Sequence, residues 1–371
     1  MSEYQFYEFK SVDKALTPKQ KEVVSSWSSR TVATNTGAVF TYSYSDFPKD
    51  ERKVVEKYFD AMFYVSNWGS QRLIFKIPNE FVDKKKIKQY CTEGLEVYEY
   101  DNFVLIDIWS EDEDGRDGWV EGEGMLTSLI SLREDIIAGD YRSLYLVWLK
   151  DSVDDVIYEY GNVDEESKEA DVPAGLNELN ASLKEFIDVF QIDQDIISAA
   201  STVSAPLKSS TNIDYSNMVE KLTEKEKNEW LIRLITNEPL LSEKFKRHFA
   251  KSNLNNDNKR IPRRTISEIV ERILSIREER KAKEKRIKEE KKLAKLKNIE
   301  SNEHRLWDDI DNFIKQKKPK SYDEAVKNLK LLKELAIHKY KYDEFEKKVE
   351  LLKQQYSRLR SLHERIYNAK L

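Results

Sequence analysis

Three groups of side chains in this sequence have the type and spacing to do chemistry. The first is the acidic stretch 110–124 (SEDEDGRDGWVEGEG), whose carboxylates can hold a hard cation or a basic peptide, or stand as a solvated loop. It departs from the EF-hand pattern: counting from Asp112, the third ligand position falls on Arg116 and the required glycine on Asp117. The second group is basic: Lys84, Lys85, Lys86 and Lys88, then Arg277, Arg280, Lys281, Lys285, Lys288 and Lys292. Segment 259–298 holds 16 Lys and Arg against 7 Asp and Glu, enough for salt-sensitive contact with a polyanion if the bases share one face. Glutamates interleave them, however. Pairs such as Glu279 with Lys283 and Glu284 with Lys288 would instead make a self-neutralised, solvated helix, and the bases do not obviously line up. The third group is apolar. Phe345, Val349, Leu352, Tyr356, Leu359, His363 and Ile366 alternate steps of four and three, a heptad seam that demands a facing helix, in this chain or in a partner.

No catalytic, cofactor-binding or metal-ligating set is indicated beyond these. Cys91 is the only cysteine, which rules out an intrachain disulfide and a thiolate zinc site, and it is expected to be a buried, inert thiol. The four histidines, His248, His304, His338 and His363, are too far apart to suggest a cluster. There is no Walker loop, GxGxxG, GxSxG or HExxH.

The elements that must position these groups divide by charge. Residues 1–200 carry 21 Lys and Arg against 40 Asp and Glu, whereas 201–371 carry 42 against 28, so two parts of opposite polarity are expected to attract. Over the first hundred residues strand-like and helix-like patterns alternate, with capping signals at Thr17-Pro18 and Asp50 and a helix expected from there to Gly69. A strand hairpin is expected to turn at Asp101-Asn102. The fold class is therefore α+β: an N-terminal mixed sheet with helices, in an order that split βαβ arrangements of the ferredoxin kind use, followed by an all-α C-terminal region. The spacing predicts an acidic α+β domain over 1–200, a serine-rich linker at 201–216 and a short helical segment at 217–258. A long charged helix over 259–300 and a helical hairpin or three-helix bundle over 301–371 complete it. No apolar run approaches the roughly 18 residues of a membrane span, so a cytoplasmic location without a membrane partner is expected.

Segments 7–17 (YEFKSVDKALT), 58–69 (YFDAMFYVSNWG), 172–179 (VPAGLNEL) and 321–326 (SYDEAV) cover both halves of the chain. Together they resemble a family of uncharacterised bacterial proteins. The last is similar to the helical tail of some bacterial proteins with SWIM-type zinc fingers, a module linked to nucleic-acid or protein binding. One cysteine cannot supply the finger's ligands, so the resemblance implies a shared architecture and transfers no catalytic residue. The functional expectation is a non-enzymatic interaction or scaffold protein, docking macromolecular partners through its helical half and its acidic surface. A protein partner, or a second copy meeting the C-terminal helices, fits that expectation. The alternative is sequence-nonspecific nucleic-acid binding through the basic helix 259–298.

Overall fold

The computed structural model describes residues 3–111, 122–157, 167–207, 215–250 and 263–371. Seven strands form one sheet in the order β2-β3-β1-β4-β5-β7-β6. They are β1 (Gln5–Lys10), β2 (Val32–Ala33), β3 (Gly37–Tyr42), β4 (Ala61–Ser66), β5 (Gln71–Pro78), β6 (Leu95–Glu99) and β7 (Phe103–Ser110). Every ladder is antiparallel, which corrects the expectation of a mixed sheet. The topology supplies the reason. Strands β3 and β4 are parallel to each other across α2 (Glu51–Tyr58), but β1 lies between them; β5 and β6 are parallel across α3 (Lys84–Lys88), with β7 between. Two split βαβ units thus stand side by side, and the interposed strand converts each parallel pair into two antiparallel ones.

Local chemistry starts the helices where the sequence indicates. Thr17 and Gln20 form a capping box on α1 (Pro18–Ser25), and the Asp50 carboxylate accepts from the Lys53 amide at 3.1 Å. The second of these helices is shorter than expected. It stops at Tyr58, and 61–66 is strand β4, buried at every position. A strand covered on both faces loses its alternation, and Met62 and Phe63 then continue the helical spacing of Val54, Val55, Tyr58 and Phe59 by coincidence.

Both faces of the sheet are covered. Phe6, Phe63, Phe75, Ile106 and Ile108 lie under a helical layer, whereas Phe9, Phe40, Met62, Ile74 and Leu105 face α1 and α2 through Val24, Val54 and Val55. That helical layer is built by α4 (Met125–Leu129), α5 (Ser131–Ala138), α6 (Arg142–Ile157), α7 (Ala181–Val189) and α8 (Gln194–Ser201). Its Arg133 is fully buried and donates to both carboxylate oxygens of Asp13, at 3.0 and 2.5 Å, and to the Lys76 carbonyl at 2.8 Å. Three helices follow: α9 (Tyr215–Glu220), α10 (Glu224–Ile235) and α11 (Leu241–Ala250).

The chain divides into two compact units, Met1–Arg277 and Glu278–Leu371. The first therefore runs well beyond the serine-rich segment expected to part the halves. The described portion of that segment is tied down: Ser204 donates to the Pro173 carbonyl at 2.8 Å, and the Ala205 carbonyl accepts from Gly175 at 2.7 Å. Ile266, Ile269 and Ile273, at the start of α12 (Ile266–Ser301), complete the first unit's core. The attraction expected between acidic and basic sequence is realised inside this unit. Arg264 makes a two-pronged bond to the buried Glu169 (2.9 and 2.7 Å), which also accepts from Tyr145 at 2.6 Å, and Arg277 reaches Asp193 at 2.7 Å.

The second unit is all-α. With the end of α12 it comprises α13 (Glu303–Lys315), α14 (Pro319–His338), α15 (Tyr342–Gln355) and α16 (Arg360–Asn368). Its core gathers Leu296, Ile310, Ile314, Leu329, Val349 and Ile366. Among the described residues, no helix is long and apolar enough to cross a membrane.

Candidate polyanion interface

Helix α12 begins at a capping box in which Glu268 accepts from the Thr265 amide (2.8 Å) and Thr265 from the Glu268 amide (3.2 Å). Within the second unit, every residue from 278 to 295 is exposed, and burial resumes at Leu296 and Ile299. This span has little apolar surface to bury, Ile287 and Leu293 being its only large aliphatic side chains, so nothing in its composition draws it into a core.

The unbroken helix spreads its bases around the axis but gathers four of them on one face. Steps of four, three and four residues return to nearly the same side, at about 100° per residue, and place Lys281, Lys285, Lys288 and Lys292 in one row about 16 Å long. These four line one shallow crevice together with Glu284 and Glu289. None of them has a carboxylate within ion-pairing distance among the described residues, so the Glu284–Lys288 pair expected from the spacing does not form. Glu284 lies 4.0 Å from Arg280 instead. Arg280 itself sits about 100° round the helix from the row, and Lys295, at its far end, is taken by Glu334 at 2.8 Å.

The remaining sequence-flagged bases are not part of this row. Arg277 belongs to the first unit and is bound to Asp193 at 2.7 Å, with Asp195 at 3.6 Å. In α3, Lys84 and Lys88 both pair with Glu99, at 2.9 and 2.5 Å, while Lys85 and Lys86 are exposed. The bond from Lys88, then that from Lys84, holds the Glu99 carboxyl at about 2. Half of this cluster is thereby neutralised by its own strand β6.

The heptad seam is used internally, which corrects its reading as a surface for a partner helix. Phe345, Val349, Leu352 and Ile366 are buried in the second unit's core, with Tyr356 and Leu359 packed against it. The seam is also broken in two, because the chain leaves helical geometry between α15 and α16. Tyr356 at that break donates to Asp311, and burial followed by this bond pushes its phenol up to about 12. The facing helix that the spacing requires is the chain's own α14.

The acidic stretch lies, from 112 to 121, outside the described residues; Glu111 and Glu123 at its borders are exposed. Among the described residues no group of three or more His, Cys, Asp and Glu could hold a metal ion. Cys91 is exposed rather than buried, and desolvation of its sulfur still pushes the thiol up despite the nearby Lys88, the reverse of an activated nucleophile. No protein-family model, curated protein or solved structure matches this chain.

Proposed function

We propose that the chain is a docking protein that binds nucleic acid without reading its sequence, through Lys281, Lys285, Lys288 and Lys292 of α12. One observation carries this reading: four ammonium groups, none ion-paired to a carboxylate among the described residues, are held in a row on a stretch of helix that is exposed at every position from 278 to 295. Lysines on a straight helix present point charges at intervals of about 5 Å, which suits phosphates and carries no base-edge geometry. Over about 16 Å one strand of a duplex offers roughly five phosphates, so each lysine has a counter-charge within reach. The second unit as a whole holds 27 Lys and Arg against 18 Asp and Glu, so long-range attraction has the same sign as the row. Filter binding of the full chain to duplex DNA of mixed sequence tests the proposal. Retention at about 50 mM salt that fades by about 200 mM, with no preference among sequences, is the expected result; no retention at the lower salt refutes it.

A further inference from the structure

A cavity of about 660 Å³ opens in the second unit, lined by Lys353 of α15, by His363, Tyr367 and Asn368 of α16, and by Lys370 and Leu371. The break between α15 and α16 builds it, folding α16 back beside the last turn of α15 while Leu362 and Ile366 fill the core. His363 is fixed at that break. Its Nε2 lies 3.1 Å from the Tyr356 carbonyl, and since a carbonyl only accepts, Nε2 carries the proton and Nδ1 is the ring atom left for a ligand. Lys353 donates to the Leu371 carbonyl at 3.1 Å, and Lys333 of α14 donates to the Lys370 carbonyl. These bonds cover carbonyls past the end of α16 that would repel an anion, and each ammonium, with three N–H groups, keeps two more. No acidic side chain lines the cavity, and Glu350, itself exposed, stands 3.9 Å from Lys353.

We propose that this cavity binds the phosphate group of a small phosphomonoester. Its donors decide the class of anion. Ammonium and imidazole groups are point donors without the planar fork that an arginine offers a carboxylate, and several of them around one cavity suit a tetrahedral dianion. Size decides the rest. A volume of about 660 Å³ is that of a small-molecule site and far more than one phosphate fills, so the ligand carries an organic part. The Asn368 amide and the exposed Tyr367 ring are in the wall to meet it, the one through hydrogen bonds and the other through an apolar face. The lysine row of α12 lines a different crevice, so this inference stands or falls apart from nucleic-acid binding.

Histidine side-chain NMR of the full chain tests it, with inorganic phosphate, ribose 5-phosphate and ribose as probes at constant pH and ionic strength. Both phosphate-bearing probes should shift the His363 resonances saturably, ribose 5-phosphate the more tightly, while ribose leaves them in place. Lys353→Gln and, separately, Lys370→Gln should each weaken binding at least about 10-fold with an unchanged circular dichroism spectrum. Lys285→Gln/Lys288→Gln, in the row of α12, should leave the affinity as it was. The proposal is overturned by the absence of a saturable His363 shift with either phosphate-bearing probe up to about 10 mM, or by an equal shift with ribose. Inorganic phosphate binding as tightly as ribose 5-phosphate, affinity unmoved by both Lys353→Gln and Lys370→Gln, or binding lost in the α12 variant overturns it equally.

Discussion

Counterion release turns the lysine row into a number that can be measured. Four lysines meeting four phosphates of a duplex give a slope of about −3.6 in log affinity against log salt, at about 0.9 per phosphate. A fourfold rise in salt, from about 50 to 200 mM, then weakens binding roughly 150-fold, and each lysine removed takes a factor of about 3.5 out of that change. The perturbation is the stepwise series Lys288→Ala, Lys285→Ala/Lys288→Ala, and the fourfold Lys281→Ala/Lys285→Ala/Lys288→Ala/Lys292→Ala. All four positions are exposed, so folding is not at issue, and alanine keeps the helix. Arg280→Ala is the control, since Arg280 faces away from the row and has Glu284 for company. Fluorescence anisotropy of a labelled duplex at four or five salt concentrations gives each slope. The slope should flatten by about 0.9 per lysine and be nearly flat in the fourfold variant, whereas Arg280→Ala should change it little. A fourfold variant that keeps the parent slope, or an Arg280→Ala slope that flattens as much as a row lysine's, would refute the reasoning.

Other consequences are open to direct measurement. Arg133→Met removes the buried guanidinium from Asp13 and the Lys76 carbonyl and should lower stability in urea by about 3–5 kcal/mol. Adding Asp13→Leu should recover part of that loss, and no recovery would mean the pair itself is not the source. The Glu99 carboxyl should titrate by NMR at about 2. Its folded value is depressed, so its stabilising contribution is complete above the unfolded value of about 4.3 and is lost as the pH falls through the folded one. Lys84→Ala/Lys88→Ala should return the midpoint toward the unfolded value, and an unmoved midpoint would count against the assigned cause. Ile310→Ala, at a fully buried position of the second core, should cost about 2–5 kcal/mol in a unit this small, and a loss below about 1 kcal/mol would contradict the packing described. Thr223→Ala should lower amide protection in the first turn of α10 by about 1 kcal/mol, read by hydrogen exchange.

Capping signals proved to be local facts. Thr17, Asp50, Thr223 and Thr265 each cap the helix that their position indicates, because the bonds involved span three residues and need no tertiary partner; Ser321, whose spacing to Glu324 also reads as a capping box, instead lies inside α14 and donates to Gln316 at 2.7 Å. The hairpin turning at Asp101-Asn102 is local in the same sense, and β6 pairs with β7 around it. The lysine row sits between these cases. Its spacing of four, three and four is written in the chain, yet it has meaning only if the helix is unbroken from 281 to 292, and the interleaved glutamates argued more strongly for self-pairing.

The amino-acid order alone thus determined the α+β class, the helical character of the second half, the charge contrast and the helix starts, all of which rest on composition or on contacts a few residues apart. Only the tertiary structure decided which strands are neighbours, that the first core reaches forward to Ile273, and that the seam from Phe345 to Ile366 is met within its own unit. Burial is a property of what arrives on the far side of a residue. The arrivals here come from positions distant in the chain, Arg264 onto Glu169 and Arg133 onto Asp13 among them, and no periodicity encodes that meeting.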